Sequence, residues 1–147
     1  MMRTESHIIV RYQETDQMGI VYHANYLTWF EIGRTDWVAQ AGFPYARIEA
    51  QGLLLPVIDA VLHYRYPARY GDEVVVITTV TEAARTKMTF SYEVLRLPER
   101  ELLVTGSTSH GWVDTQMQPV RVKHFYPELA AMLDRLIEEL KGKERDV

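Results

Sequence analysis

The hydrophobic and polar positions of this chain predict a strand, a long helix, four more strands and a last helix. Residues 7–12 form the first strand-like run. Apolar residues then recur at helical spacing over residues 25–41 and surround most of the helix, which is typical of a helix buried on several sides. Gly42 is a suitable C-terminal stop for it. The later strand-like runs are 56–66, 73–81, 86–97 and 101–114, and the last helix is 127–141 with Gly142 as its predicted end.

Clustered strands and one nearly all-apolar helix favour an α+β domain with an antiparallel sheet. Run 86–97 places Met88, Phe90 and Tyr92 on one face, so that face should be buried. Gly106 and Gly111 inside the last strand predict a bulge or the close approach of another backbone. A sheet around one helix leaves edges and one face exposed, and run 86–97 alternates strongly enough to cover a partner. We therefore expect the protein not to be a monomer.

The composition of the chain limits the kinds of function that it can have. The 147 residues favour one domain over 1–147, and 47% hydrophobic residues suffice for a core. A formal net charge of −4 gives no support to nucleic-acid binding. The absence of cysteine excludes disulfides, thiol nucleophiles and Cys-ligated zinc. We see neither a membrane-spanning run nor a signal-peptide pattern, so we expect a cytoplasmic protein with no membrane partner.

The strongest chemical signal lies between the first strand and the long helix. Residues 11–27 place a carboxylate at Asp16, a glycine at Gly19 and a histidine at His23 just before an apolar helix. A helix start offers free N–H groups and partial positive charge, which suit a carbonyl that becomes an oxyanion. Asp16 could then act as a base or as a nucleophile, and the residues leave both roles open.

Tyr12 through Tyr26 closely resembles the signature of the 4-hydroxybenzoyl-CoA thioesterase-like family of hotdog-fold acyl-CoA thioesterases. The family pattern is roughly Tyr-x-Glu-Thr-Asp-x-x-Gly-x-Val-Tyr-His-x-Asn-Tyr, and this stretch matches it almost throughout. The resemblance implies an antiparallel sheet of about five strands wrapped around one long central helix, with a C-terminal helix. It also implies hydrolysis of an acyl-CoA without metal or bound cofactor, by a dimer with the site at its interface, or by a tetramer.

The resemblance implies roles for several residues. Asp16 is the expected catalytic carboxylate, and the backbone N–H at His23 is expected to polarise the thioester carbonyl. Tyr12 matches a motif tyrosine that could bond the carboxylate or a water, although a core aromatic is an equal alternative. Asn25 is a suitable N-cap. For Glu31, on the helix, we favour a structural ion pair or an interface over catalysis.

Four basic residues are candidate contacts for the phosphates of coenzyme A, at the entry of one strand and the exit of another. Arginine and lysine bind phosphate well, but solvated charge is at least as good an explanation for each one singly. They are Arg85, Lys87, Arg121 and Lys123. The five histidines show no metal-ligand spacing. Two alternative functions stay open: a hotdog hydratase or dehydratase, and a non-catalytic module that binds acyl thioesters or proteins.

Overall fold

A five-stranded antiparallel sheet packs against one long helix in the computed structural model, which describes residues 2–145. The spatial order of the strands is β1-β3-β4-β5-β2. The elements in chain order are β1 (Thr4–Ile9), α1 (Asn25–Gln40), α2 (Tyr45–Ala50), β2 (Val57–Tyr64), β3 (Glu73–Ala83), β4 (Lys87–Arg96), β5 (Glu101–Gly111) and α3 (Pro127–Arg145). Single turns of 3-10 helix lie at Tyr12–Glu14 and Val122–His124. The predicted α+β architecture is confirmed.

The core lies between α1 and the inner face of the sheet. Trp29, Phe30 and Trp37 of α1 are almost completely buried. Phe30 stacks on Tyr92 of β4 with ring centroids 4.2 Å apart, and Trp37 meets Phe90 of β4 edge-on at 5.8 Å. The face of β4 that the alternation predicted to be buried therefore receives the helix. Burial of such aromatic side chains stabilises a core by several kilocalories per mole in total.

At Gly106 of β5 the predicted close approach of another backbone comes from β2, and a side chain of α1 lies equally close. A Cβ atom at Gly106 would lie 2.6 Å from Cε2 of Phe30 and 2.6 Å from the carbonyl oxygen of Val61 in β2. Real Cβ atoms do not tolerate such distances. A Cβ at Gly111 would meet nothing closer than 3.9 Å, so the expected close contact arises only at Gly106.

Several predicted boundaries were wrong. The chain leaves the sheet at Ile9, and Tyr12 begins a 3-10 turn instead of ending a strand. The short helix α2 was not predicted, because six residues carry too little periodicity to register. Helix α3 continues through Gly142, which fails to end it because the favourable helix formers around it outweigh one glycine.

The edge strands of the sheet are β1 and β2, whereas β4 lies inside the sheet between β3 and β5. Because β4 has no free edge and its inner face packs on α1, run 86–97 can cover a partner only through its outer face, and that contact stays a prediction. Seven of the eight residues of β2 are exposed, and Ile58 alone exposes 61% of its surface. A long, exposed, apolar edge strand is a ready template for pairing with another strand.

Candidate active site

The loop that carries Asp16 is a miniature hairpin. The N–H of Asp16 donates to the carbonyl of Ile20 at 2.9 Å, and the N–H of Tyr22 donates to the carbonyl of Glu14 at 2.9 Å. Gly19 closes the turn with a φ of 77°, a conformation that glycine adopts without strain. The two arms of the hairpin join the 3-10 turn at Tyr12–Glu14 to the start of α1. Asp16 is thereby fixed relative to the helix start.

The two oxygens of the Asp16 carboxylate differ in their hydrogen bonding. Its Oδ1 accepts the N–H of Met18 at 2.9 Å, which fixes the plane of the group. Its Oδ2 accepts no hydrogen bond from any residue between 2 and 145. Asp16 is half-buried and lines a cavity of about 250 Å³ together with His23. A base or nucleophile needs such an accessible lone pair on an oriented oxygen.

The chain segment before α1 supplies backbone donors. In the described part of the chain, the N–H groups of His23 and Ala24 donate to no carbonyl or side-chain acceptor. The carbonyl of His23 accepts the hydroxyl of Tyr64 from β2 at 3.0 Å, which fixes the orientation of that peptide unit. Free N–H groups at a helix start are suited to stabilising a developing oxyanion. The imidazole of His23 is exposed and lies edge-on to Tyr64, with ring centroids 6.5 Å apart.

Part of the lining of this cavity comes from the end of β2, which the sequence did not indicate as part of the site. Tyr64, Arg65 and Tyr66 line it, together with Tyr26 of α1. Burial raises the pKa of Tyr26 and of Tyr64. The hydroxyl of Tyr26 accepts the N–H of Ala68 at 3.1 Å, whereas the hydroxyl of Tyr64 donates to the carbonyl of His23. The only signal in the sequence was the run of aromatic and basic residues at the end of a predicted strand. Nothing local relates that run to Asp16.

Tyr12 and Asn25 lie elsewhere than expected. Tyr12 is 77% exposed, packs edge-on against Tyr70 at 5.8 Å, and is not among the residues that line the Asp16 cavity. Its catalytic role stays a prediction that this placement does not support. Asn25 is not the N-cap of α1, because Ala24 holds that position. The Asn25 amide instead donates to the carbonyl of Glu14 at 2.8 Å, which is a structural role.

Three of the four predicted phosphate contacts come together. Arg85, Arg121 and Lys123 line a separate cavity of about 140 Å³, and Lys87 is not part of its lining. The carboxylate of Asp134 from α3 also lines it, 4.0 Å from Nε of Arg85. The side chain of Arg85 is 81% exposed, so this ion pair is weak and leaves the guanidinium free for an anionic ligand.

The two cavities lie at opposite ends of the sheet. Tyr64, beside the Asp16 cavity, pairs with Val104 of β5, whereas Lys87, two residues after Arg85, pairs with Gly111 at the far end of β5. Seven residues of extended strand separate those two positions on β5, which corresponds to about 23 Å. A single protomer therefore separates the carboxylate from the basic cluster.

Glu31 is exposed on α1 and forms no ion pair within residues 2–145. Its expected role at an interface stays a prediction. Within the same range, no helix is both long and apolar enough to cross a membrane. No group of three or more His, Asp or Glu side chains in the described residues is arranged to hold a metal ion.

Comparison with known proteins gives a consistent set of similarities. Residues 10–133 match the model of the thioesterase-like superfamily. The chain is 40% identical over 126 residues to YneP of Bacillus subtilis, described as a candidate acyl-CoA thioesterase, with 85% of this chain and 91% of YneP covered. It is 30% identical over 100 residues to the acyl-CoA thioester hydrolase YbgC of Escherichia coli O157:H7, with 65% and 75% covered.

Solved structures agree with these similarities. A DHNA-CoA thioesterase from Staphylococcus aureus superposes with a TM-score of 0.89 at 33% identity, covering 98% of this chain and 96% of that one. A 4-hydroxybenzoyl-CoA thioesterase superposes with a TM-score of 0.75 at 18% identity, covering 87% of this chain and 98% of that one, a likeness of fold alone.

Proposed function

This chain belongs to the thioesterase-like superfamily, and from that membership we propose that it hydrolyses an acyl-CoA to a free acid and coenzyme A. One observation carries the proposal to a particular site. The half-buried carboxylate of Asp16 lines the same cavity as His23. Within residues 2–145, one oxygen of that carboxylate accepts no hydrogen bond and the N–H of His23 donates none. A thioester carbonyl between them would meet a base or nucleophile on one side and oxyanion donors on the other.

In one route Asp16 acts as a general base. Its free oxygen takes a proton from water while the water oxygen attacks the thioester carbonyl carbon. The resulting oxyanion accepts hydrogen bonds from the N–H groups at His23 and Ala24. The C–S bond then breaks, and the thiolate of coenzyme A takes the proton back from Asp16. The products are the free acid and the thiol.

In the other route Asp16 acts as a nucleophile. Its free oxygen attacks the carbonyl, the thiolate leaves, and an acyl–aspartyl anhydride remains that water then hydrolyses. Labelled water distinguishes the two routes only when it attacks the anhydride at the aspartyl carbon. After a single turnover in ¹⁸O-labelled water, attack of water on the anhydride at the acyl carbon leaves the enzyme unlabelled, whereas attack at the aspartyl carbon labels Asp16. Label in Asp16 would establish the nucleophilic route, and trapping of the anhydride by hydroxylamine would detect it in either case.

We propose that Arg85, Arg121 and Lys123 hold the phosphates of coenzyme A. Their common cavity and the exposed guanidinium of Arg85 support this. Phosphates lie far from the reacting carbonyl, so the double variant Arg85→Gln/Arg121→Gln should raise KM more than it lowers kcat. Lys87→Gln, outside the cavity, is the matched control. Equal losses on a truncated thioester without the nucleotide would contradict the assignment.

We propose further that the working unit is a dimer formed through the exposed edge of β2. Two copies that pair β2 antiparallel about a two-fold axis bring the start of one β2 beside the end of the other. Val57, at the start of β2, pairs with His110 next to the basic end of β5, whereas Tyr64 is at the Asp16 end. The basic cavity of one copy would thus approach the Asp16 cavity of the other, which resolves their separation within one protomer.

The decisive experiment on the activity is the variant Asp16→Asn. The amide preserves the size of the side chain and its acceptor for the Met18 N–H, but it is neither a base nor a nucleophile. We expect a loss of about two or more orders of magnitude in kcat on an acyl-CoA panel assayed by release of free thiol. Asp114→Asn is the control, since Asp114 also caps a loop through its side chain but lies outside the cavity. Near wild-type turnover in Asp16→Asn would refute the assignment.

The predicted alternatives, a hydratase or dehydratase and a non-catalytic module, receive no specific support from the arrangement around Asp16. The predicted cytoplasmic location stays a prediction. Fractionation of cells that express the full chain tests it directly.

A further inference from the structure

A second carboxylate, Glu14, lies two residues before Asp16 in a very different environment. Glu14 is 6% exposed, whereas Asp16 is half-buried with one free oxygen. A buried carboxylate is costly unless it is fully hydrogen-bonded, and such a group so close to a reacting side chain requires a physical reason. The catalytic routes described above give Glu14 no part.

Both oxygens of the Glu14 carboxylate accept hydrogen bonds, from donors on opposite sides of the side chain. Its Oε1 accepts the backbone N–H of Arg11 at 2.9 Å and Nε of Arg11 at 3.4 Å. Its Oε2 accepts the indole N–H of Trp29 at 2.7 Å, in the buried face of α1. The side chain thus connects the beginning of the 3-10 turn to the second turn of the central helix.

The backbone carbonyl of Glu14 also connects the 3-10 turn to the segment that leads into α1. It accepts both the N–H of Tyr22 at 2.9 Å and the side-chain amide of Asn25 at 2.8 Å. Tyr22 is in the returning arm of the hairpin, and Asn25 is the first residue of α1. Two hydrogen bonds that join the base of the Asp16 hairpin to α1, from the Asn25 amide and from the Trp29 indole, therefore meet at Glu14. The backbone N–H of Asn25 adds a third bond, to the carbonyl of Tyr22 at 2.9 Å.

We propose that Glu14 is a positioning residue for the reaction, which holds the carboxylate of Asp16 in register with the N–H groups at the start of α1. This inference rests on the proposed function. It explains how the Asp16 carboxylate and the oxyanion donors are held at a fixed distance from each other. The carboxylate belongs to the hairpin and the oxyanion donors to the helix start. A displacement of about 1 Å between such groups can cost about a hundredfold in rate.

The test variant is Glu14→Gln, which keeps the shape of the side chain. A glutamine has one acceptor oxygen instead of two, so its NH₂ group must face either the Arg11 N–H or the Trp29 N–H. We expect kcat to fall about tenfold to a hundredfold with KM within about twofold, since the proposed phosphate contacts lie elsewhere. Asp36→Asn is the matched control, because Asp36 is also an acid tied to a neighbour, Ser6, but at the far end of α1.

A structural readout separates this inference from the activity. Amide hydrogen exchange at Asp16 and Tyr22 should be faster in Glu14→Gln than in the wild type, while exchange in β3 and β4 stays unchanged. This measurement needs no substrate, so it remains valid even if the protein hydrolyses no acyl-CoA. In that case the proposed function fails, and faster exchange in the hairpin would still establish Glu14 as its anchor.

A second variant covers the outcome that Glu14→Gln fails to fold. Asn25→Ala removes only the amide bond to the Glu14 carbonyl, at a half-buried position. It should lower kcat in the same manner, by a smaller factor, with KM unchanged. Unchanged kcat and unchanged hairpin exchange in the foldable variants would overturn the proposal. So would a loss that Asp36→Asn reproduces, because Glu14 would then contribute only to general stability.

Discussion

Two acids two positions apart, Glu14 and Asp16, show how surroundings assign roles at the scale of the residue. Glu14 is enclosed by donors on both sides, so each of its carboxylate oxygens accepts a hydrogen bond. Asp16 has one oxygen bonded by the turn and one exposed to a cavity. The same functional group is an anchor in the first environment and a candidate reactant in the second. The difference depends on which donors surround each acid.

His110 is the residue whose ionisation should be most sensitive to folding. It is completely buried in β5, with Nδ1 3.1 Å from the carbonyl of Leu55 and Nε2 2.8 Å from Oγ1 of Thr108. A carbonyl can only accept, so Nδ1 carries the proton and Nε2 accepts the hydroxyl of Thr108. Burial lowers the pKa of His110 to about 4, and the nearby charge of Arg34 acts in the same direction.

We predict that His110 makes the folded protein less stable as the pH falls from about 6.5 to about 4. Over that range the unfolded chain binds a proton at this position and the folded protein does not, so the free energy of unfolding decreases as the pH falls. The full effect is roughly 3 kcal/mol. Urea unfolding at several pH values should give a smaller pH dependence for His110→Gln than for the wild type. The same pH dependence in both proteins would contradict the prediction.

At the scale of elements, the long helix α1 controls the geometry of the site. Its buried aromatic face fixes its position on β4 and β5, and its first turn presents N–H groups to the Asp16 cavity. The end of β2 meets that first turn through the bond from Tyr64 to the carbonyl of His23. Packing in the core and geometry in the site are therefore coupled through one rigid helix.

We predict that Gly106→Ala is destabilising and Gly111→Ala is not. An alanine at Gly106 must displace the ring of Phe30 or the backbone of β2, at a cost of about 1–3 kcal/mol. At Gly111 the methyl group makes ordinary contacts, and the change should lie within about 0.5 kcal/mol or be slightly stabilising. Denaturant unfolding of both variants provides the comparison. Equal stabilities would mean that α1 does not press on β5 as described.

At the scale of the whole molecule, the Asp16 carboxylate and the basic cluster lie at opposite ends of one sheet. The proposed function requires both of them to contact one substrate. The proposed antiparallel pairing of two β2 edges would meet this requirement by symmetry, since the basic cavity of each copy would approach the Asp16 cavity of the other. The exposed apolar side chains along β2 would provide the driving force for such a pairing.

We predict that a hybrid dimer of two impaired variants, each defective in a different part of the site, regains one working active site. One subunit carries Asp16→Asn, the other carries Arg85→Gln/Arg121→Gln, and the hybrid is purified through two different tags. If sites are shared across the interface, each hybrid dimer contains one intact site and one doubly defective site. It should show about half the wild-type kcat with a wild-type KM. If each site belongs to one subunit, every site in the hybrid is defective.

Light scattering provides the simpler companion measurement. The active protein should have a mass of at least twice 17.1 kDa at micromolar concentration. Charged substitutions at Ile58 and Val61, exposed on β2, should lower that mass and abolish activity together. A monomer that retains full activity would contradict both the shared site and the β2 interface.

The sequence by itself determined much of the local structure and chemistry. Alternation identified the buried face of β4, and helical spacing gave α1 nearly its observed bounds. The stretch from Tyr12 to Tyr26 identified Asp16 and His23, which line one cavity, and the family to which the chain belongs. These features are encoded by neighbours in the chain, whose spacing directly reflects the 2-residue and 3.6-residue repeats of strands and helices.

Only the tertiary structure decided which distant segments meet. Periodicity specifies the face of a strand but not its neighbours, so the interior position of β4 and the free edge of β2 could not be read from it. The same limit concealed Tyr64 and Arg65 at the Asp16 cavity, left Tyr12 outside it, and separated the basic cluster from Asp16 by the length of β5. The role of Glu14 was not predicted, because its partner Trp29 lies fifteen residues further along the chain and meets it only in the folded structure.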